Sequence, residues 1–440
     1  MANRTLTDLP PLPPYTLAPR PPLISGVSDA VLQLLAPVVA YWVVSLFFHA
    51  LDTYDLCSQY RLHTPAEVLK RNHVTRHEVV RDVIIQQVIQ TAFGLLLASF
   101  DPMETCGKEE YDIAVWAQRL RLAERYIPKL FAVVGIDAIS FAQKAFKNYP
   151  QLAGAVSGGV YSTRSFAAWE ISAATLIYWV AIPFAQFLVA ILIVDTWQYF
   201  LHRAMHMNKF LYTTLHSRHH RLYVPYAFGA LYNHPLEGLL LDTLGTGLAY
   251  IATRMTLRQG LWFFTCSTIK TVDDHCGYAF PWDPLQHLTS NNAAYHDVHH
   301  QSWGIKTNFS QPFFTFWDRL LGTAWSGGDV SARYMRDRIA AQKKVDADTA
   351  ADASIVNSPT IDLDKAKQQA SSSQRQVLDD KANGGIQILQ EEAKAEQEMR
   401  QTLRRSTRRK SGFDAMLISD RVSGRLHNRS PTILHADGVH

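Results

Sequence analysis

Eight histidines stand in three short groups between residues 202 and 300: HRAMH (His202, His206), HSRHH (His216, His219, His220) and HDVHH (His296, His299, His300). Any fold this chain adopts must put so many imidazoles to use. On a helix, residues three and four apart share a face, so HxxxH and HxxHH are expected to aim their rings one way. Unpaired imidazoles are costly to bury, whereas neutral imidazole is a good ligand for iron, zinc, copper or nickel. Eight nitrogens exceed what one four- to six-coordinate ion takes and suit two. The remaining histidines are scattered, apart from the single pair His73 and His77 far upstream. The groups therefore predict a dinuclear metal site rather than solvated or core histidines.

The second constraint is apolar length. Val31 to Phe48, Val83 to Phe100 and Ile171 to Val194 carry no charge. A bilayer-spanning helix needs roughly 20 predominantly apolar residues, so three such stretches predict a polytopic membrane protein rather than buried core helices. The fold class expected is all-α: a polytopic membrane helical bundle with a cytosolic, histidine-lined dinuclear site and a disordered C-terminal tail. Cys57, Cys106, Cys266 and Cys276 form no CxxC pair, which suits a reducing, cytosol-facing compartment better than a disulfide scaffold. The start of the chain lacks the pattern of a cleaved signal peptide, so the first membrane helix is expected to act as the anchor. A net charge of +4, with no basic stripe interleaved with aromatics, gives no reason to invoke nucleic acid.

Composition divides the chain. Residues 1–26 are Pro-rich and read as an extended, mobile arm. Residues 27–170 hold the first two membrane helices, with Pro37 as an expected kink, and an amphipathic region that either lies on the membrane surface or forms a soluble hairpin. Arg61, Lys70, Arg71, Arg76 and Arg81 between and at the start of these helices argue for a cytosolic loop. Residues 171–326 carry the histidine groups. Residues 327–440 are rich in Ala, Asp, Lys, Gln and Ser and read as a largely disordered charged tail. Within it, Ile386 to Leu403 has helix-forming composition and runs into a basic patch, RRSTRRK. Between the second and third groups, Gly238 to Lys270 is apolar but broken by Asp242, Arg254 and Arg258. Charges of this kind disfavour one clean crossing, and the three groups must share one face, so a short re-entrant hairpin is expected.

Three metal chemistries compete on these residues. A zincin needs HExxH, and none of the groups has it. A soluble di-iron bundle uses Glu-x-x-His pairs, and histidines stand in place of those carboxylates here. Nitrogen-only dinuclear ligation beside membrane helices points to oxygen activation on a lipid. A non-enzymatic membrane metal-binding or transport protein is the alternative, although transport favours ligands spread over several helices at midplane depth.

The three groups, with NHPLEG and DDHCGY between them, resemble the fatty acid hydroxylase/sterol desaturase superfamily. The blocks DTWQYFLHRAMHMNK (195–209), HRLYVPYAFGALYNHPLEG (220–238), KTVDDHCGY (270–278) and NNAAYHDVHHQSWGIKTNFSQPFFTFWDRLLGT (291–323) closely resemble fungal sphingolipid C-4 hydroxylases. The resemblance implies a di-iron oxygenase that hydroxylates C-4 of sphinganine or dihydroceramide with O2. It also implies electrons from NAD(P)H through cytochrome b5 and its reductase, and an endoplasmic reticulum membrane with the site facing the cytosol. A sterol desaturase or methyl sterol oxidase of the same superfamily is the alternative substrate class. Hydroxylation and desaturation begin with the same hydrogen abstraction, so both outcomes stand on the residues alone, as do the free base and the ceramide.

The family pattern further implies extra ligands from the intervening blocks. His275 is first and His234 next, which brings the candidate metal ligands to ten. For His234 the alternative is a structural histidine at the turn before Pro235. Asp195, Asp273, Asp274 and Asp297 are expected to orient ligating rings through their second nitrogen, and Glu237 to do so for His234. Tyr226 and Phe228, in the aromatic stretch after the second group, are expected to line the substrate channel. His49, His63, His73, His77 and His287 are expected to stand outside the site.

Overall fold

The computed structural model describes residues 9–100, 103–159 and 165–356. The protein is a polytopic helical membrane bundle, and its described β structure is minimal: one two-residue pairing, Ala18–Pro19 with Thr105–Cys106, and two isolated bridges. Nine helices matter for the site: α1 (Asp29–Thr53), α2 (Pro65–Arg71), α3 (Arg76–Ala98), α4 (Glu109–Glu124), α5 (Ile182–Met207), α6 (Gly245–Thr253), α7 (Leu257–Asp274), α8 (Ala293–His300) and α9 (Ser331–Val356). Their starts follow local chemistry. Ser28 caps α1, and Thr64 with Glu67, Thr75 with Glu78 and Thr256 with Gln259 form capping boxes that satisfy otherwise orphan N–H groups.

Helices α1 and α3, and the stretch Ala168–Met207 that contains α5, are long and apolar enough to cross a membrane. A π-helical turn at Ile177–Ala181 joins the two α-helical parts of that third stretch. Apolar residues line the outer surface: Val39 and Val43 of α1 are 60% and 61% exposed, and Phe184 of α5 is 69% exposed. In water such a face would be a liability; against lipid it costs nothing. Inside, α1 packs along α3 and α7, and α6 packs on α5. Small residues permit the approach: a Cβ on Gly245 would strike the Trp197 ring, and one on Gly260 would strike Gln33 and Tyr250.

The segment between the second and third histidine groups folds into a helical hairpin, as expected, but the hairpin is not short. One arm runs through Pro235–Gly238, a π-helical Leu239–Leu244 and α6; the other is α7. The arms are about 28 and 27 Å long, close to the thickness of a bilayer core. At the tip, Arg254 adopts a left-handed conformation, and Arg258 bonds Asp29 at the start of α1 at 2.8 Å. The other end of α1 lies beside the histidine side of the protein, where Asp52 accepts from the Tyr278 hydroxyl at 3.0 Å. The hairpin therefore runs the length of α1. Two of the three charges that suggested a shallow dip sit at its far tip, and only Asp242 lies along an arm.

Two sequence expectations change at the ends. The Pro-rich arm is extended but tied down in its described part, since Gln118 donates to the Pro10 carbonyl (2.7 Å) and Arg258 to that of Pro21 (2.5 Å). The expected tail from 327 begins instead with a formed helix, α9, which packs on α2. Residues 357–440, including Ile386 to Leu403 and the basic patch, lie outside the described residues.

Candidate metal centre

The last two turns of α5 present His202 and His206, a 3-10 segment (His216–Arg221) presents the second group, and α8 presents the third. His275 follows directly on α7. The rings gather in two adjoining clusters. One holds His202, His206, His216, His220 and His299; the other holds His219, His275, His296 and His300. Within each cluster the candidate ligand nitrogens lie within 4.8 Å of one another. All nine residues are buried, none more than 8% exposed.

The division corrects the expectation that each group aims all its rings one way. The i,i+4 pairs stay together: His202 with His206, His216 with His220, His296 with His300. The residue at i+3 goes to the opposite cluster, so His219 leaves His216 and His299 leaves His296. The cause is angular. One α-helical residue turns by about 100°, and the tighter 3-10 geometry by about 120°, so adjacent histidines diverge enough to serve different centres.

The tautomers decide what these rings can bind. Nδ1–H of His202 donates to the Phe309 carbonyl at 2.8 Å, that of His219 to Tyr232 at 3.1 Å, and that of His275 to Thr271 at 2.8 Å. His299 donates likewise to Thr307 (2.7 Å) and His300 to Leu222 (2.8 Å). A carbonyl only accepts, so each of these rings carries its proton on Nδ1 and leaves Nε2 as a bare lone pair. His216 Nδ1 is held by the Glu237 carboxylate. The bare nitrogens then face each other: His202 and His216 Nε2 are 3.0 Å apart, and His275 and His219 Nε2 are 3.4 Å apart. Two lone pairs cannot hydrogen-bond to one another. A common cation removes the conflict, because neighbouring nitrogens each 2.0–2.1 Å from one ion stand about 3.0–3.4 Å apart. The residues present fit a pair of metal ions.

Electrostatics agree. Burial pushes His216 down to about 3, His219 to about 4 (the His216 ring adding to the effect) and His275 to about 3. Burial likewise holds His220, His296, His299 and His300 well below the ordinary imidazole value, with neighbouring rings adding to it. These imidazoles are neutral at physiological pH, which is the ligating state.

The other expected site residues are distributed differently. His234 stands outside both clusters; its Nδ1 accepts from Leu236 N–H at 3.2 Å and caps the short helix at Pro235. Of the five carboxylates, Glu237 alone bonds a cluster ring among the described residues, and it holds His216 instead of the expected His234. Asp195 accepts from the backbone N–H groups of Phe313 (3.0 Å) and Phe314 (2.9 Å). Asp273 accepts from Gln286 (2.7 Å), and Asp274 pairs with Lys270 and Asn291. These three brace the loops that carry rings. Asp297 accepts from His63 Nε2 at 2.8 Å, while His63 Nδ1 bonds Glu67 at 2.9 Å. Tyr334 of α9 also donates to Asp297, at 2.5 Å. His63 was expected to be peripheral, yet it is buried and ties α2 to the third histidine group. Its i,i+4 relation to Glu67 was visible in sequence; its link to Asp297, 234 positions away, was not.

Two cavities adjoin on one side of the histidines. A small one, about 20 Å³, is lined by His216, His219, His275 and His296, and has room for about one water-sized molecule. A larger one, about 280 Å³, lies among α1, α3, α5, α6 and α7, with Leu34, Val38, Leu97, Val194 and Phe264 in its walls. Gln198, Asp242, Thr271 and Pro312 line both. Neither Tyr226 nor Phe228 lines either. Phe228 packs in the core beside Trp42, and Tyr226 faces a separate cleft with Arg76 against its ring. The wall of the larger cavity comes mostly from the apolar helices, with Leu231 and Pro312 beside them.

Fold and site together define a membrane-embedded histidine-cluster protein. A model described as fatty acid hydroxylase matches residues 187–323. The sphingolipid C4-hydroxylase SUR2 of Saccharomyces cerevisiae is 47% identical over 315 residues, 72% of this chain and 77% of that protein. Sphinganine C4-monooxygenase 1 of Arabidopsis thaliana is 40% identical over 68% of this chain and 88% of its own. The very-long-chain aldehyde decarbonylase GL1-9 of Oryza sativa subsp. indica is 39% identical over 71% and 97%. Methylsterol monooxygenase 1 of Rattus norvegicus is similar over only 142 residues, 32% of this chain. No solved structure matches. The chain belongs to the fatty acid hydroxylase family, and it is an enzyme of the hydroxylase class.

Proposed function

We propose that this enzyme is a sphingolipid C-4 monooxygenase that hydroxylates sphinganine or dihydroceramide at C-4. The observation that carries the reading is the convergence of bare Nε2 lone pairs in two adjoining clusters, beside a cavity lined by membrane helices. His202, His206, His216, His220 and His299 would hold one iron, and His219, His275, His296 and His300 the other. Bound iron supplies O2 activation for oxidation of an unactivated C–H bond. The protein contributes position and dryness. The cavity among α1, α3, α5, α6 and α7 holds the hydrocarbon tail, so that one carbon reaches the second cluster. Carbonyls of Phe309, Thr307, Leu222, Tyr232 and Thr271 keep the lone pairs of His202, His299, His300, His219 and His275 turned inward, and burial keeps the rings unprotonated. Electrons come from NAD(P)H through cytochrome b5 and its reductase. The enzyme resides in the endoplasmic reticulum membrane with both clusters toward the cytosol.

The names of the Saccharomyces and Arabidopsis relatives support the sphingoid substrate over a sterol, since the methylsterol enzyme is similar over a third of the chain. The deciding experiment is a lipid profile of membranes with and without the enzyme, together with metal analysis of the purified protein. Appearance of 4-hydroxylated long-chain bases with about two irons per chain is expected. An unchanged sphingoid profile with altered sterols would assign the enzyme to sterols instead.

A further inference from the structure

The three charges that interrupt the apolar run after Gly238, Asp242, Arg254 and Arg258, have different fates. Arg254 and Arg258 lie at the tip of the hairpin, but Asp242 lies on the π-helical part of an arm, packed among membrane helices. An ionisable side chain at such depth is expensive and marks a functional position by default. No hydrogen bond to the Asp242 carboxylate occurs among the described residues: its Oδ2 is buried without a partner, and Thr246 bonds only its backbone carbonyl. Asp242 lines both the small histidine chamber and the larger cavity. An unsatisfied carboxylate at the neck between hydrocarbon space and the metal clusters is an acceptor awaiting a donor from a ligand.

Resting on the substrate class proposed above, we propose that Asp242 binds the polar head of the long-chain base. Its carboxylate accepts hydrogen bonds from the C-3 hydroxyl and the C-2 nitrogen, and thereby sets C-4 against the second cluster. Chain geometry makes the location meaningful. The C-3 oxygen is two bonds from C-4 and the C-2 nitrogen three, so a group that fixes the head must sit within about 4–6 Å of the reacting carbon. An acceptor deeper in the tail cavity would meet only methylene groups. Both lipid forms satisfy the same carboxylate, the free base through an ammonium and the ceramide through an amide N–H.

The test uses full-length holoenzyme in detergent, with sphinganine, a dihydroceramide and a sphinganine analogue lacking the C-3 hydroxyl as probes. Asp242→Ala is expected to keep the wild-type metal content, raise KM at least tenfold and spread hydroxylation to carbons beside C-4. The deoxy analogue should lose at least tenfold in kcat/KM with the wild type and nothing further with Asp242→Ala, because its missing group has no partner left to lose. Asp242→Asn, nearly the same size, separates the nitrogen sources: a larger loss with sphinganine than with dihydroceramide identifies an ammonium contact, and equal losses identify the hydroxyl and amide. Unchanged KM and unchanged C-4 selectivity in Asp242→Ala would overturn the proposal while leaving the reaction intact. Loss of metal from Asp242→Asn would overturn it too, by placing the carboxylate in the architecture of the clusters. A wild type inactive on both lipids would instead defeat the substrate assignment itself.

Discussion

At the scale of single residues, the two-cluster division makes ligand replacement informative beyond loss of activity. Replacing His299 by Ala removes a nitrogen from the cluster of His202, whereas replacing His296 removes one from the cluster of His275. Both variants should insert normally and lose turnover, with bound metal falling from about two ions per chain toward one. Elemental analysis of the purified variants reads this directly, and near-normal activity in either would remove that histidine from the ligand set. His234 is the control. Its ring caps a helix rather than joining a cluster, so His234→Ala should keep both metals and lose only about 0.5–2 kcal/mol of stability. Glu237 belongs between these cases. It holds His216 by Nδ1, so Glu237→Gln should weaken metal retention on the order of 10–100-fold, measured by chelator competition.

At the scale of elements, α9 acts through His63. Burial alone would lower the His63 pKa, but the Asp297 carboxylate and then Glu67 outweigh it and raise it to about 9. A group with a raised folded-state pKa stabilises fully below its unfolded value, about 6.5, and loses that contribution as pH climbs through about 9. The full effect is on the order of 3 kcal/mol. Thermal unfolding of the solubilised enzyme should show Tm falling between pH 6.5 and 9.5, and His63→Ala should flatten that slope. A chain stopped after Val356 should match the full-length enzyme. One stopped after Ser326 loses the Tyr334–Asp297 bond and the Arg71–Asp337 pair at 3.3 Å, and should melt lower. Equal melting of the two truncations would show that α9 adds nothing to the histidine domain. The polar composition that made residues from 327 read as tail also suits a helix lying on a charged partner. The apposition of α9 and α2 is long-range and left no local mark.

At the scale of the whole molecule, the hairpin predicts topology. Its base lies at the clusters, through Glu237 and His275, and its tip lies at Asp29. Glycosylation acceptors engineered near Lys209 and Lys306 should both remain unmodified, whereas one in the Arg254–Leu257 turn should be modified. Modification near Lys306 alone would break the shared face. Much of this was legible in the chain: uncharged stretches marked the membrane helices, and i,i+4 spacing paired the rings. The depth of the hairpin was not, because Arg254 and Arg258 read as buried charges until the turn between them placed them at an end. The cavity wall was not legible either. Tyr226 and Phe228 are close to the second group in sequence, but the lipid side is walled by helices from both halves of the chain.

The twin dyads His219–His220 and His299–His300 have one further consequence. In each, a single peptide unit reaches from one centre to the other, and successive Cα atoms are 3.80 Å apart whatever the surroundings. The gap between the centres is thus bounded twice by a covalent link, and the ring torsions, held by the carbonyls of Tyr232, Thr307 and Leu222, set the rest. Drift of the helices that carry the other rings therefore leaves each dyad's reach across the two clusters limited by the same peptide unit.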